Sequence, residues 1–282
     1  MAAKDPFVLP ILKWVGGKRQ LAEVITPMIR KSSTYYEPFV GGGAILFHTQ
    51  PKKAIINDSN AQLMNVYAVI KTKPEDLIHK LTEHKEKNCE KYFYEVRALD
   101  RDVDVFQNLT EVEKAARMIY LNKTCYNGLF RVNSAGEFNA PWGKYKNPNI
   151  TNETTINALH QYFNRTNIKM ICGDYKEALK GIRKGAFVYF DPPYMPISSS
   201  SSFTGYTANG FGEKEQIELK KQCDLLNKRG IKFLLSNSSC EFIENLYQDY
   251  IVEKVSAKRA INVKPDKRGA IDEVLIRNYE LD

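Results

Sequence analysis

Asp191-Pro192-Pro193-Tyr194 is the stretch whose residue types and order could most directly do chemistry. It follows Phe187-Val188-Tyr189-Phe190, an apolar run that reads as a buried strand, and in open α/β sheets ligands bind outside the carboxyl ends of strands. The chemistry it would suit is reaction at the exocyclic amine of a nucleobase. Such an amine is a poor nucleophile because its lone pair is delocalised into the ring. Two acceptors, one for each N–H, would draw the nitrogen toward tetrahedral geometry and aim the lone pair at an electrophilic methyl. Asp191 offers a side-chain acceptor, and the Pro192 carbonyl offers a second in a turn stiffened by two fixed φ angles. Tyr194 supplies a face on which a base can stack, worth about 1–3 kcal/mol. A base handled in this way has to leave the duplex. The plainer alternative is a strand-ending turn that carries an acid.

Glu37-Pro38-Phe39-Val40-Gly41-Gly42-Gly43 follows a second β-prone run, and Asp58 closes a third. Glycines after a first strand let backbone approach a cofactor, and an acid after the second can accept from ribose hydroxyls. The dinucleotide fingerprint is excluded, because Leu46 stands where its last glycine belongs. Lys13-Trp14-Val15-Gly16-Gly17-Lys18 is no phosphate loop either: Arg19 replaces the required Ser or Thr, and the glycine spacing does not fit. From Tyr126 to Lys146, Tyr126, Phe130, Phe138, Trp142 and Tyr145 interleave with Arg131, Lys144 and Lys146. Aromatics mixed with cations on a turn-rich segment suit contacts to phosphate and base edges. Lys254, Lys258, Arg259, Lys264, Lys267 and Arg268 form a smaller basic cluster that reads as a solvated face or a phosphate-contacting loop.

The elements that must position these groups follow from periodicity. Tyr35–Val40, Ala54–Ile56, Ile168–Ile171, Phe187–Phe190 and Ile231–Leu235 read as strands alternating with helices, a parallel α/β sheet. Val252–Val255 and Val274–Ile276 read as final strands, the last antiparallel because no long crossover precedes it. Between residues 74 and 164 the strand signals fade. Pro74 suits a first helical turn, and Thr110 with Glu113 forms a capping box. Asn127-Gly128 and Asn133-Ser134-Ala135-Gly136 signal a hairpin or irregular loop. Ser198–Ser202 reads as a flexible loop. The expected organisation is a Rossmann-like sheet in two parts, 1–72 and 165–282, around a mostly helical insertion at 73–164.

The 41 Lys and Arg against 33 Asp and Glu give a net charge of +8, which favours a polyanionic partner through counterion release. Five scattered cysteines without a C-x-x-C pair read as reduced thiols, and four dispersed histidines assemble no zinc site, so no metal is expected. Met1–Pro10 lacks an apolar signal core, and no run approaches the ~20 apolar residues of a membrane span, so a cytoplasmic protein with no membrane partner is expected.

Taken together and in this order, the words at 13–18, 37–43, 57–60 (Asn-Asp-Ser-Asn), 126–131 (Tyr-Asn-Gly-Leu-Phe-Arg) and 191–194 resemble the DNA adenine methyltransferase (Dam) family, particularly its GATC-type members, over nearly the whole chain. The resemblance implies a methyltransferase that uses S-adenosyl-L-methionine, with the sheet catalytic and the insertion at 73–164 a target-recognition domain. It implies that Trp14, Lys18, Phe39, Gly41, Gly43, Asp58 and Asp191 line the cofactor pocket, with Asp174 and Tyr175 of Gly-Asp-Tyr near its adenine. It further implies that Lys13, Tyr126, Asn127, Leu129, Arg131, Pro141, Lys144 and Tyr145 meet DNA, and that Ser198–Phe211 orders over it. Where GATC-type relatives carry Gly-Arg-Tyr, this chain has Gly143-Lys144-Tyr145, so a two-headed guanine contact becomes single-headed.

The function expected is methyl transfer to adenine N6 in double-stranded DNA, within GATC and with base flipping, by a monomer that pairs in function with a restriction endonuclease. Asp191, Pro192, Pro193 and Tyr194 form the catalytic set. The rivals are N4-cytosine methylation, a catalytically silent DNA-binding protein of the same fold and, less strongly, an RNA substrate.

Overall fold

Five apolar runs in this chain are too short and too evenly buried for surface helices, and they assemble as the parallel part of a seven-stranded sheet. The structure is a computed structural model that describes residues 4–196, 210–258 and 270–281. In chain order the elements are α1 (Ala22–Met28), β1 (Tyr35–Glu37), α2 (Ala44–Thr49), β2 (Lys53–Asp58), α3 (Ala61–Thr72), α4 (Pro74–Glu86), α5 (Glu90–Ala98), α6 (Val103–Asn108), α7 (Glu111–Thr124) and α8 (Glu153–Arg165). There follow β3 (Asn167–Cys172), α9 (Tyr175–Leu179), β4 (Phe187–Phe190), α10 (Glu213–Lys228), β5 (Lys232–Ser238), α11 (Glu241–Leu246), β6 (Ile251–Lys258) and β7 (Ala270–Arg277).

The sheet order is β3-β2-β1-β4-β5-β7-β6. β1 pairs in parallel with β2 on one side and β4 on the other, so strand order reverses at β1/β4 and opens a crevice at their carboxyl ends. β7 runs antiparallel to both β5 and β6, as expected from the short connection before it. Side-chain alternation divides the core into two layers. Tyr35, Phe187, Tyr189, Leu234 and Leu275 face one side, while Tyr36, Val188, Phe190, Leu235 and Ile276 face the other.

The helices between β2 and β3 share the first layer: Leu77, Leu81, Phe93, Ile119 and Phe163 belong to the same apolar cluster as Tyr35 and Phe187. α7 starts at the anticipated capping box, with Thr110 Oγ1 accepting from the Glu113 N–H at 3.2 Å and Glu113 Oε2 accepting from the Thr110 N–H at 2.9 Å. Pro74 opens α4. The 126–146 segment is a short 3-10 turn, Tyr126–Gly128, followed by a narrow hairpin pinned at Val132–Phe138, and Cys125 bridges Trp142. Among the described residues no helix is long and apolar enough to cross a membrane. The serine-rich run and most of the second basic cluster lie outside the described residues; of that cluster Lys254 and Lys258 lie on β6, and Lys254 pairs with Glu244 at 2.9 Å.

His84 of α4 stacks on Tyr120 with ring centroids 4.9 Å apart, and its Nδ1 lies 2.8 Å from the Tyr92 hydroxyl. Burial, reinforced by the charges of Lys80 and Lys87 and opposed by Glu83, lowers its pKa to about 4. The folded pKa is depressed below the ordinary 6.5, so the contribution is whole above that pH and is lost as pH falls toward 4. At ~1.4 kcal/mol per unit this amounts to at most about 3 kcal/mol. Urea unfolding of His84→Phe is expected to show a flatter decline than the parent protein across this window; parallel curves would mean that His84 is not held neutral.

Candidate active site

Four strand ends converge at the carboxyl edge of the sheet. β1 delivers Gly41–Gly43, β2 delivers Asp58, β4 delivers Asp191–Tyr194, and β5 ends in Ser236-Asn237-Ser238. β4 is buried throughout and Asp191 follows it directly, with 19% of its side chain exposed. Its Oδ1 holds two donors, Lys18 Nζ at 2.8 Å and Ser236 Oγ at 2.8 Å. No described residue donates to Asp191 Oδ2 or to the Pro192 carbonyl. Among the described residues, the two acceptors expected from the residue types are therefore both without a donor.

Lys18 is buried at 5% exposure. Beyond Asp191 it donates to the Gly16 carbonyl at 2.6 Å and lies 4.5 Å from the centroid of the Tyr194 ring. The Tyr194 hydroxyl donates to Glu273 Oε2 of β7 at 2.6 Å, and burial beside Asp191 and Glu273 holds that phenol well above its usual range. The residues on either side of Tyr194 are also tied down. Gln216 Nε2 donates to the Pro193 carbonyl at 2.9 Å, and the Met195 N–H donates to Asn237 Oδ1 at 3.1 Å.

On the glycine side, Gly41 and Gly43 take positive φ of 47° and 71°, and both Gly41 and Gly42 lie against the Trp14 side chain. The Gly41 N–H donates to Asp58 Oδ2 at 3.0 Å and the Asn60 N–H to Asp58 Oδ1 at 2.9 Å. Burial raises the Asp58 pKa, and these backbone donors pull against it. Asn57 binds the loops together, its Nδ2 donating to the carbonyls of Pro38 at 3.0 Å and Gly173 at 3.1 Å, while its buried Oδ1 has no partner among the described residues. Asp174 follows β3 as the cap of α9, exposed and accepting from the Lys176 N–H at 2.8 Å. Tyr175 is 7% exposed, stacked against Phe39 at 5.0 Å, and part of the second core layer.

The segment anticipated to meet DNA abuts this edge. Asn122 of α7 grips the Lys13 backbone through two 2.9 Å bonds and also donates to the Gly128 carbonyl at 3.0 Å. Trp14 stacks on Phe130 at 5.2 Å. Lys13, Tyr126, Pro141, Lys144 and Tyr145 are exposed, Asn127 and Leu129 are half-buried, and Asn127 and Lys144 have left-handed φ of 59° and 56°. Arg131 points across the hairpin, its Nε donating to Asn139 Oδ1 at 2.6 Å. The interleaved aromatics divide, however. Phe130 and Phe138 are core residues and Trp142 packs on Phe93, because alternate residues of a hairpin lying on a helical layer must turn inward. Only Tyr126 and Tyr145 of the five remain exposed.

Sequence reasoning missed Ser236, Asn237, Gln216 and Glu273. The Ser-Asn-Ser ending of an otherwise apolar strand was the available signal for the first two. Gln216 and Glu273 sit in unremarkable polar stretches and are found only from coordinates.

A family model described as D12 class N6 adenine-specific DNA methyltransferase matches residues 14–261. The chain is 43% identical over 271 residues to the Type II methyltransferase M1.LlaDCHI of Lactococcus lactis subsp. cremoris, covering 96% of this chain and 95% of that protein. It is 42% identical to the Type II methyltransferase M.MjaIII of Methanocaldococcus jannaschii, with 96% and 99% covered. The DNA adenine methylase of Escherichia coli K12 is 31% identical, with 94% and 93% covered.

A Cβ at Gly43 would overlap the Phe47 ring, and the position carries a left-handed φ of 71°. Left-handed backbone and overpacking together predict that Gly43→Ala loses about 2–4 kcal/mol in chemical denaturation. A loss well under 1 kcal/mol would show that the loop relaxes freely.

Proposed function

This chain belongs to the D12 class N6 adenine-specific DNA methyltransferases, and from that premise we propose that it takes the methyl group from S-adenosyl-L-methionine and places it on adenine within GATC, with the base flipped out of the duplex. The observation that carries the reading is the pair of open acceptors, Asp191 Oδ2 and the Pro192 carbonyl, at the end of β4. Two N–H groups of one amine match them. S-adenosyl-L-methionine, when bound, supplies an electrophilic methyl on a sulfonium.

The residues present fit that cofactor. Asp58 holds one backbone N–H on each carboxylate oxygen and keeps further acceptor capacity for a ribose diol. The bare Gly41–Gly43 backbone allows close approach, Phe39 offers an apolar wall, and the Oδ1 of Asn57, next to Asp58, has no partner among the described residues. Trp14, Lys18, Asp174 and Tyr175 complete the proposed set, Tyr175 by supporting Phe39.

At the amine, Asp191 and Pro192 orient and pyramidalise the nitrogen, Pro193 stiffens the turn, and Tyr194 stacks the base. The proton leaves only after methylation has made the nitrogen acidic, so Asp191 acts as acceptor and orienter. The contribution of the protein is alignment and hydrogen bonding. Residues 73–164 serve as the target-recognition domain, with Lys13, Tyr126, Asn127, Leu129, Arg131, Pro141, Lys144 and Tyr145 on the DNA. The Type II names of two relatives support functional pairing with a restriction endonuclease.

Labelled methyl transfer to duplexes carrying GATC or single-base variants, with nucleosides identified afterwards, tests the reading. N6-methyladenine confined to GATC is expected; transfer spread over the variants would discard the site and keep the enzyme. Asp191→Ala should abolish turnover with DNA affinity intact, and near-normal turnover would remove it from the amine. For Asp58→Ala the expected effect is a rise of about tenfold or more in the cofactor KM, the scale of one charge-assisted hydrogen bond. An unchanged KM would take Asp58 off the ribose.

A further inference from the structure

Two successive carbonyls leave the D-P-P-Y turn, and the proposed chemistry uses only that of Pro192. The carbonyl of Pro193 is claimed by Gln216 Nε2 at 2.9 Å. Why Gln216 presents its nitrogen rather than its oxygen is decided one residue further on. Asn237 Oδ1 accepts from the backbone N–H groups of Met195 at 3.1 Å and Ser238 at 2.9 Å. Backbone N–H groups only donate, so the Asn237 amide has one permitted orientation. Its Nδ2 therefore faces Gln216 and donates to Oε1 at 3.0 Å, leaving Gln216 Nε2 for Pro193. Both side chains are 0% exposed, so solvent cannot substitute for a lost partner. A reversed Gln216 would set two buried acceptors against each other.

The link from one carbonyl to the next is short. The peptide between Pro192 and Pro193 is planar and the Pro193 ring fixes φ, so Pro193 ψ is the single soft rotation between the two oxygens. Anchoring the Pro193 carbonyl removes that freedom. Resting on the reading of Asp191 and Pro192 as the amine's acceptors, we propose that Gln216, oriented by Asn237, is a positioning residue that keeps the Pro193 carbonyl turned away and the Pro192 carbonyl free for adenine N6.

Two variants of the full chain test this by different routes. Gln216→Met keeps the volume and removes the donor. Asn237→Asp keeps the acceptor for Met195 and Ser238 but no longer donates, so Gln216 turns to donate to it and presents its oxygen to Pro193. Single-turnover methyl transfer should fall about tenfold or more in each, the effect of a ~1.4 kcal/mol misalignment. Affinities for S-adenosyl-L-methionine and duplex DNA should stay within about twofold, and the fluorescence of 2-aminopurine at the target position should still report flipping. A parallel fall in affinities and flipping would assign the pair a merely structural role and overturn the inference, as would near-normal transfer. If Gln216→Met does not fold, Asn237→Asp decides alone. Asp191→Ala measured alongside separates the two levels. An active Asp191→Ala refutes the underlying site, whereas an inactive one with normal Gln216→Met and Asn237→Asp refutes only the positioning role.

Discussion

A fully buried strand that ends in an acid and two prolines has to satisfy its polar groups without water, yet chemistry at that point needs some of them left open. β4 meets both demands by drawing donors from neighbouring elements onto chosen atoms. Ser236 and Lys18 both go to Asp191 Oδ1, which fixes the carboxylate's rotation and leaves Oδ2 without a donor among the described residues. Gln216 goes to Pro193 and not Pro192, and Glu273 takes the Tyr194 hydroxyl. The donors come from β5, α10 and the 3-10 turn Lys18–Gln20, and β7 supplies an acceptor. The antiparallel β7, set between β5 and β6, is thus what brings an acid to the Tyr194 hydroxyl.

The same economy of amides joins the glycine loop to the helical region. Asn57 ties two loop carbonyls, those of Pro38 and Gly173, to the end of β2, and Asn122 fastens Lys13 to the start of the 126–146 segment. Trp14 lies between the two, against Gly41 on one element and Phe130 on another. The segment proposed to read DNA and the glycine loop thus share one packing partner, the Trp14 indole.

Much of this architecture could be read from residues alone, and the reasons are specific. Phe187–Phe190 and Ala54–Ile56 are apolar on both sides, as parallel strands must be, and the Thr110–Glu113 capping box is local by nature. Asp191, Asp58 and the glycines stand next to such strands, so their convergence follows from topology. Other features depend on contacts between distant residues. The burial of Phe130, Phe138 and Tyr175 reflects which face of a hairpin or short helix lies against a neighbour, and composition does not encode that face. Gln216 and Glu273 act on the turn from 23 and 79 residues away. Neither is marked by spacing or type, since a buried glutamine looks like a surface one until its partners are in place.

Lys18 shows why the N-terminal word belongs to the site although it is no phosphate loop. A lysine at 5% exposure is tolerable only where its ammonium is fully engaged, because desolvating an unpaired charge costs several kcal/mol. Here one nitrogen meets a carboxylate, a carbonyl and an aromatic face, the last being Tyr194. In the proposed mechanism the base stacks on that same ring, so an adenine arriving on the face held by Lys18 has to displace the ammonium. The Asp191 contact need not break, because Lys18 uses Oδ1 and the amine needs Oδ2. What has to change is the tilt of the lysine over the ring, and the Gly16 carbonyl, which accepts from the same ammonium, is one of its restraints. Gly16 there has a left-handed φ of 74°, with no atom within 4 Å of where a Cβ would stand, so its backbone conformation and not crowding is what calls for glycine.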